Sequence, residues 1–398
     1  MKKPIYLDYA AATPTDPRVI DVMVNCLKKE GAFANPHAKD HVYGWEAAEA
    51  VENARSQIAD LVGCSPLELT FTSGATEANN LAIFGLAHAL KQNGDKRNHI
   101  ITSKIEHKAV LEACEVLEKQ GYKVTYLTPR EDGITTIEDL EAALSDDTFL
   151  VSLAQANSVL GSVNDVHALS SLCKKRNIYF HTDTAQSAGF EKTDFMHSDI
   201  SLATLTSEKV CGPKGVGALY IKKSLGLNLV PEIYGGGQEK GLRGGTVPTH
   251  QVAGMGEAFE ILRKEGESEK KRLLSYRELL IEKLSTLPNI IINGSSKYYV
   301  PHILSVSFKD IDAHMLLPTL SNIAVSTGSA CASSSLKPSY ILTAIGRTDD
   351  EARSSLRISF GRFTTKSDIE CAIEEILQKI PKLYKAGSMW TVKGEPNA

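Results

Sequence analysis

The chain has 398 residues, of which 42% are hydrophobic and 23% charged, and its formal net charge is −4. This composition is typical of a globular protein with a full core, and it argues against long disorder and against a basic surface for nucleic acid or membranes. The amino terminus has no apolar stretch of the kind a signal peptide needs, and no run of about 18 apolar residues occurs. We therefore expect a cytoplasmic protein with no direct nucleic-acid or membrane partner.

The first half of the chain alternates helical and β-rich patterns. Apolar residues recur at helical spacing over 42–62, and Gly63 stands where that helix should end. Predicted strands follow at 68–72, 99–103, 123–127, 149–153 and 178–181, and between them come helices that end near 90 and span 108–120, 136–144 and 165–176. This alternation predicts an α/β fold with a mostly parallel sheet covered on both faces.

The pattern changes after residue 201. Strands at 202–206 and 217–221 are too close together for a helical crossover, and a long helix or helix pair is predicted over 250–286. Shorter segments follow, namely strands at 303–308 and 356–360 and helices at 313–320 and 369–383, as in a separate α+β unit. We therefore expect a large domain at 15–260 and a smaller one formed by 1–14 and 261–398.

Two segments follow predicted strands and carry polar residues suited to ligand binding. Ser73-Gly74-Ala75-Thr76 joins a strand to a helix, where free backbone N–H groups favour a phosphate, although many such turns are only helix caps. Asp183 follows the strand at 178–181. It is either a helix cap or a carboxylate that faces a pyridine nitrogen and keeps the ring protonated.

A lysine and a cysteine are the candidate reactive groups. Lys209 lies in a loop between two strands, where a lysine can form a Schiff base if its amine loses its proton readily. Cys331 lies in a loop of Ser, Gly and Ala residues, which predicts an accessible thiol. The chain has seven cysteines at wide spacings and no C-x-x-C, so neither a disulfide framework nor a zinc site is expected.

Taken together, these motifs resemble those of one enzyme family. The chain resembles the group I (NifS-like) cysteine desulfurases of the aminotransferase class V family over nearly its whole length. The motifs that carry the resemblance are residues 6–11, 73–80, 105–110, Asp183 with Gln186, Lys209 with 212–215, Ser329-Ala330-Cys331 and 356–365. The resemblance implies a pyridoxal-phosphate-dependent transferase of fold type I, with the Cys331 loop on the smaller α+β domain.

The resemblance also implies roles for individual residues. Lys209 would bind pyridoxal 5′-phosphate (PLP) and move protons at the substrate Cα, His107 would stack on the cofactor ring and assist, and Asp183 would pair with the ring nitrogen. Further cofactor contacts would come from Ala75, Thr76, Asn157, Gln186, Thr206, Ser207 and Thr246. The substrate would contact Asn35, Asn157 and Arg357, with Arg357 gripping its carboxylate. Thr246 matches a residue that completes the phosphate site of the neighbouring subunit, which implies a homodimer.

The implied activity is removal of sulfur from L-cysteine, which gives L-alanine and a persulfide on Cys331. The sulfur would pass to an iron–sulfur scaffold protein or to a sulfur relay for tRNA thiolation. No resident metal is expected, and Cys331 would contact a partner's iron–sulfur cluster only transiently. The alternatives are a selenocysteine lyase, another enzyme of the class V aminotransferase fold, and a weakly active paralogue that serves as a docking platform for sulfur transfer.

Two positions depart from the family pattern. Glu208 replaces a histidine that contributes to phosphate binding, and a carboxylate there repels a phosphate dianion unless it turns away or is neutralised. We expect Glu208 to point outward and cofactor affinity to be weaker. Ser158-Val159-Leu160 replaces Asn-Glu-Ile after Asn157, which affects substrate orientation or turnover.

Overall fold

The computed structural model describes residues 3–192, 194–226, 228–311, 313–327 and 338–392. Its larger sheet contains β2 (Leu69–Thr72), β3 (His99–Ser103), β4 (Lys123–Leu127), β5 (Thr148–Ser152), β6 (Tyr179–Asp183), β7 (Leu202–Thr206) and β8 (Gly217–Ile221). Their spatial order is β2-β8-β7-β6-β5-β3-β4. All pairings are parallel except those of β8, which runs antiparallel to both β2 and β7. The predicted α/β fold with a mostly parallel sheet is confirmed.

Helices cover both faces of this sheet. They are α1 (Pro17–Asn25), α2 (Val42–Val62), α3 (Ala75–Gln92), α4 (Lys108–Lys119), α5 (Ile137–Ala143), α6 (Val166–Lys175) and α7 (Thr249–Leu284). One core joins the sheet to α2, α6 and α7 through residues such as Ile58 and Phe259. A second core joins the opposite face to α3 and α4 through Leu86 and Val110. Burial on both faces explains why every residue of β3, β5 and β7 is buried.

A smaller unit follows α7. Its antiparallel sheet has the order β12-β10-β9, formed by β9 (Ile290–Asn293), β10 (Ile303–Phe308) and β12 (Ser355–Ser359), and β1 (Ile5–Tyr6) pairs in parallel with β11 (Ile323–Ala324). Its helices are α8 (Ala313–Thr319), α9 (Tyr340–Ala344), α10 (Asp349–Arg353) and α11 (Lys366–Val392). Sequence analysis missed β1, β9, β11, α1, α9 and α10, because elements this short show little periodicity.

The helix α7 is continuous over 36 residues rather than a helix pair. Its first half contributes Phe259 and Leu262 to the core beneath the larger sheet, whereas Leu273 and Leu280 belong to the core of the smaller unit. The apolar face of α7 therefore changes partner between Leu262 and Leu273. The division of the chain at residue 260 stays a prediction. None of the helices in the described ranges combines the length and apolar composition needed to span a bilayer.

The reversed strand β8 brings together the two loops that follow β2 and β7. Gly217 opens β8 and is paired with Thr72 on one side and Thr206 on the other. A Cβ at this position would lie 2.6 Å from the Leu205 carbonyl oxygen and 2.8 Å from the backbone of Gly74. Only glycine permits this approach, which sets the turn after β2 beside the loop that begins at Ser207.

Candidate active site

The turn between β2 and α3 has the features of a phosphate site. Gly74 precedes the helix with φ 143° and provides no side-chain cap, so the first backbone N–H groups, at Ala75 and Thr76, lack intrahelical acceptors. Across Gly217, Thr206 is buried, and the Ser207 hydroxyl is buried with no hydrogen-bond partner among the described residues. The helix dipole and an unsatisfied hydroxyl together favour an anion here.

A buried carboxylate closes the next strand along the sheet. Asp183 is the last residue of β6, one strand away from β7, and only 7% of its surface is exposed. Its Oδ2 accepts a hydrogen bond of 2.8 Å from the amide of Asn79 on α3, and its Oδ1 accepts the Ala185 N–H at 2.9 Å. No lysine or arginine in the described ranges forms an ion pair with Asp183, so its charge is available to a cationic ligand.

The histidine on the same strand does not supply that cation. His181 is fully buried, and its ring nitrogens lie 2.8 Å from the Ser152 hydroxyl and 3.1 Å from the Thr204 hydroxyl. Burial lowers the pKa of His181 to about 4, although the carboxylate of Asp183 opposes the shift. The imidazole is therefore neutral near pH 7 and does not compensate the negative charge of Asp183. It instead bonds to hydroxyl groups of the two neighbouring strands.

The segment 9–13 crosses the loop that carries Lys209. Lys209 Nζ donates to the Ala11 carbonyl at 2.6 Å, and the buried Gln186 amide donates to the Ala10 carbonyl at 2.9 Å. The backbone of Glu208 is held in turn, because its carbonyl accepts both the N–H and the hydroxyl of Thr13. Lys209 is thus a mostly buried amine, with its side chain 16% exposed, in a loop that is bonded to segment 9–13.

The expectation that Glu208 points outward is wrong. Its carboxylate lies 3.0 Å from Lys209 Nζ, and its side chain is 33% exposed. The amine attracts the carboxylate because an ammonium group can donate to both Glu208 and the Ala11 carbonyl. The effect of Glu208 on cofactor affinity stays a prediction.

His107 and its neighbour Glu106 occupy opposite environments. His107 is exposed at the start of α4, where its Nδ1 accepts the Ala109 N–H at 3.2 Å. Glu106 is buried, and its Oε2 accepts the Ala154 N–H at 3.0 Å. Burial raises the pKa of Glu106 to about 8, and the charge of Asp183 adds to the rise. Glu106 is therefore largely protonated at neutral pH, whereas the neighbouring His107 side chain is exposed and open to a ligand.

Arg357 lies on β12 of the smaller unit and reaches toward the larger one. Its guanidinium donates to Asp8 Oδ1 at 2.7 Å and to the Ser158 carbonyl at 3.0 Å. The Nε is buried and has no hydrogen-bond partner among the described residues. A buried guanidinium with an unused donor is suited to a further acceptor such as a substrate carboxylate, with Asp8 as its resident counter-ion.

Three further residues predicted to contact the cofactor or the substrate are Asn157, Asn35 and Thr246. The Asn157 amide bonds the Ile105 carbonyl and the backbone N–H groups of Val159 and Leu160 at 2.8–2.9 Å, so it shapes its own turn. Asn35 is exposed and accepts the His37 N–H at 3.0 Å. Thr246 borders a cavity of about 170 Å³ together with Ser73. The predicted contacts of these residues with cofactor or substrate stay predictions.

Cys331 lies outside the described residues. The six cysteines that the structure describes are free thiols, and all but Cys371 are buried, in agreement with the expected absence of a disulfide framework among them. No group of three or more His, Cys, Asp or Glu side chains in the described ranges could hold a metal ion.

Comparison with known proteins identifies the family of the chain. The family model for aminotransferase class-V proteins matches residues 5–371. The chain belongs to the aminotransferase class-V family. It is 48% identical over 390 residues to the protein named cysteine desulfurase IscS of Pseudomonas putida (strain W619). The alignment covers 98% of this chain and 96% of the relative. The resemblance stated from the motifs is thereby confirmed.

Solved structures of relatives share the fold. A NifS-like protein superposes with a TM-score of 0.87 at 32% identity and covers 96% of this chain and all (100%) of its own. A structure described as SspA in complex with cysteine has a TM-score of 0.80 at 38% identity and covers 91% of this chain and 100% of its own. The predicted fold type I architecture is confirmed, and so is the PLP dependence that comes with family membership.

The residues of this chain fit PLP at the described edge of the sheet. The α3 turn and the unsatisfied Ser207 hydroxyl suit the phosphate, Asp183 suits a protonated ring nitrogen, and Lys209 supplies an amine for the aldehyde. His107 is exposed for ring stacking. These groups come from four separate stretches of chain: the α3 turn, the loop with Ser207 and Lys209, the end of β6, and the start of α4. The sheet brings the first three to the ends of β2, β7 and β6.

Sequence reasoning gave no role to three residues of this site. Asn79 donates to Asp183, the buried Glu106 precedes His107, and Asp8 pairs with Arg357. All three lie in motifs that carry the resemblance, namely 73–80, 105–110 and 6–11. Their contacts could not be inferred there, because the partners of Asp8 and Asn79 are 349 and 104 residues away.

Glu106 should make stability depend on pH. Its folded pKa of about 8 exceeds the unfolded value of about 4.3, so between these values the folded state binds more protons and wild-type stability falls as pH rises. Relative to Glu106→Gln, we expect the free energy of unfolding to fall by up to about 1.4 kcal/mol per pH unit between pH 5 and 8. Urea unfolding at each pH measures the difference. At pH 5 the side chains of Glu106 and of its Gln replacement are both neutral in the folded state. If the difference in unfolding free energy between the two proteins stays constant from pH 5 to pH 8, the raised pKa of Glu106 is contradicted.

Glu208 should weaken cofactor binding. It pairs with the Lys209 amine, and its charge opposes the phosphate dianion, so we expect Glu208→Gln and Glu208→His to bind PLP roughly fivefold more tightly. Titration of the apoenzyme, followed by fluorescence quenching, gives the dissociation constants. Glu191→Gln is the matched control, because Glu191 pairs with Lys270 at 3.2 Å with similar exposure. Equal affinities in wild type and both Glu208 variants would refute the expectation.

Proposed function

We propose that this protein is a PLP-dependent cysteine desulfurase that moves sulfur from L-cysteine to Cys331. The observation that carries the proposal is the convergence of Lys209, Asp183 and the α3 turn at one sheet edge, in a chain of the same family as IscS. When bound, PLP supplies an electron sink that makes the Cα hydrogen of an amino acid acidic. The reaction therefore depends on a base near Cα and on a nucleophile for sulfur.

Lys209 is the proposed base and PLP-binding amine. Once its nitrogen is free it can accept the Cα proton, and the Ala11 carbonyl and Glu208 carboxylate then stabilise the resulting ammonium group. Asp183, held by Asn79, would keep the ring nitrogen protonated, and His107 would stack on the ring. Arg357 would bind the substrate carboxylate through its unused Nε donor and its charge.

Cys331 is the proposed sulfur acceptor. Its thiolate attacks the substrate sulfur, a sulfur–sulfur bond forms, and the carbon–sulfur bond of the substrate breaks. The electron pair of that bond goes to carbon, which takes up a proton and becomes the methyl group of alanine. The persulfide then passes to an acceptor protein, for which we propose an iron–sulfur scaffold or a sulfur relay for tRNA thiolation, in keeping with the IscS relatives.

We also propose that the protein acts as a homodimer. Exposed aromatic side chains flank both the Asn35 segment and the loop that leads to Thr246. Phe33 is 50% exposed, Trp45 is 59% exposed and Tyr234 is 77% exposed. A partner subunit would remove these exposed aromatic side chains from water. Thr246 would then complete the phosphate site of the neighbouring subunit.

A reducing, cytoplasmic compartment suits this chemistry. The described cysteines are all free thiols, and free thiols persist where glutathione and thioredoxin keep them reduced. A persulfide carrier on Cys331 needs the same conditions.

Two substitutions separate the proposed roles. Wild type should convert L-cysteine to L-alanine and carry an added sulfur on Cys331, detected by mass spectrometry. Lys209→Ala should lose the absorbance of bound cofactor and all turnover. Cys331→Ser should keep that absorbance and lose at least about 100-fold in sulfide release with a reductant, because a hydroxyl is a far weaker nucleophile toward sulfur than a thiolate.

The control for the thiol is Cys371→Ser, because Cys371 is an exposed free cysteine on α11. Its turnover should equal that of wild type. Full turnover in Cys331→Ser would exclude Cys331 as the sulfur acceptor and favour another enzyme of this fold. A colourless wild type that releases no sulfide would favour a docking platform, and a much higher rate with selenocysteine would favour a lyase for that substrate.

Subunit complementation tests the role of Thr246. Thr246→Asp places a carboxylate at the predicted phosphate contact, and Lys209→Ala removes the cofactor amine, so each homodimer should be inactive. A purified heterodimer of the two variants contains one site with Lys209 and an unchanged Thr246 from the other subunit. We expect it to regain about half of the wild-type turnover per dimer, as twofold symmetry requires. A heterodimer as inactive as its parents would show that Thr246 serves its own subunit.

A further inference from the structure

One carboxylate holds the turn that the phosphate site is built on. Glu77 is the third residue of α3, and its Oε2 accepts the Ser73 N–H at 2.7 Å. Because Gly74 brings no side chain, Glu77 fastens the helix start in the way the glutamate of a capping box does. It bonds an N–H that lies before the helix, so the N–H groups of Ala75 and Thr76 are left for an anion.

The charge of this carboxylate opposes the same anion. Glu77 lies in the first turn of α3, close in sequence to the N–H groups that suit a phosphate, and like charges repel. Its side chain is only 13% exposed, so water and salt screen its charge little. A turn that binds a phosphate dianion therefore needs a cation that offsets Glu77.

Arg243 supplies that cation. Its Nε donates to Glu77 Oε1 at 3.0 Å, which leaves Oε2 to the Ser73 N–H. Arg243 also borders the cavity of about 170 Å³ that Ser73 and Thr246 line. The two oxygens of one carboxylate thus join the phosphate turn to the loop that leads to Thr246.

The loop that carries Arg243 is anchored on the strand before the turn. β2 stands at one end of the strand order, so its outer backbone groups have no strand partner in the described part of the chain. The buried carboxylate of Glu239 accepts the Phe71 N–H at 2.7 Å and two hydrogen bonds from the buried Arg55, which itself donates to the Leu69 carbonyl at 3.0 Å. This anchor lies four residues before Arg243, so the arginine is held in place beside the turn.

We propose that Glu77 and Arg243 are positioning residues for the phosphate of PLP. Glu77 fixes the turn through Ser73, and Arg243 offsets the charge that Glu77 sets against the phosphate. Arg243 therefore acts on the cofactor through Glu77 and not by direct contact. This inference rests on the PLP site of the proposed function, and it does not depend on where the sulfur goes.

Arg243→Gln tests the charge compensation, because it removes the cation and leaves the Glu77 carboxylate on the turn. The full-length apoenzyme is titrated with PLP and, separately, with pyridoxal, which has the same ring and aldehyde but no phosphate. Fluorescence quenching gives both dissociation constants. We expect PLP to bind roughly fivefold more weakly and pyridoxal to bind as in wild type, since the uncompensated charge acts on the phosphate. Loss of general structure would weaken both ligands together.

The double variant Glu77→Gln with Arg243→Gln tests whether Arg243 acts through Glu77. It removes both charges, and the amide oxygen of the new side chain can still accept the Ser73 N–H. We expect PLP affinity to return to within about twofold of wild type, because the two charges offset each other. A double variant that binds PLP as weakly as Arg243→Gln would show direct contact between Arg243 and the phosphate, and would overturn the inference.

The matched control is Arg97→Gln, which removes an arginine paired with Asp95 at 2.7 Å, of similar exposure, beyond the carboxyl end of α3. It should leave both dissociation constants at their wild-type values. An unchanged PLP affinity in Arg243→Gln would overturn the inference, and so would equal weakening of PLP and pyridoxal.

The same titrations separate this inference from the proposed function. If wild type binds PLP no more tightly than pyridoxal, the phosphate site itself is refuted, and this inference fails with it. If wild type binds PLP tightly but forms no persulfide on Cys331, only the proposed sulfur transfer fails, and the results for Arg243 and Glu77 still decide the inference.

Discussion

The close approach of three strands at Gly217 is the constraint on which the active site depends. Because β8 runs against its neighbours, Thr72 and Thr206 stand on either side of one glycine with no room for a side chain. Neighbouring strands lie about 4.8 Å apart, and β8 stands between β2 and β7. The turn after β2 and the Lys209 loop after β7 are therefore separated by about 10 Å. A helical crossover between β7 and β8 would have carried the lysine away from the anion site.

A second constraint is the isolation of one negative charge. Asp183 is buried, its oxygens are oriented by Asn79 and Ala185, and the nearby His181 is neutral. A buried carboxylate is costly unless a cation or several donors compensate it. Within the described residues no lysine or arginine compensates Asp183, and a protonated pyridine ring would supply such a cation.

The smaller unit completes the site from the other side. Arg357 on β12 and Tyr340 on α9 reach the larger unit at Ser158 and Glu106. The smaller unit thus contributes Arg357 to the candidate site, whereas the α3 turn, Asp183 and Lys209 belong to the larger unit.

The sequence by itself determined the local features of this protein. The alternating strands and helices, the Ser73–Thr76 turn, Asp183 and Lys209 were all readable, because hydrophobic periodicity and turn chemistry act over a few residues. The motifs also carried the family, and with it the cofactor. Six short elements escaped detection because they contain at most nine residues each.

Only the tertiary structure decided the contacts between distant residues. Asn79 meets Asp183 across 104 positions, and Tyr340 meets Glu106 across 234. Glu208 was expected to point outward, yet its carboxylate lies 3.0 Å from the oppositely charged amine of Lys209. Such pairings depend on strand order, register and burial. A local pattern contains none of these, so the sequence indicated the candidate reactive groups, and the fold determined which groups hold the described ones in place.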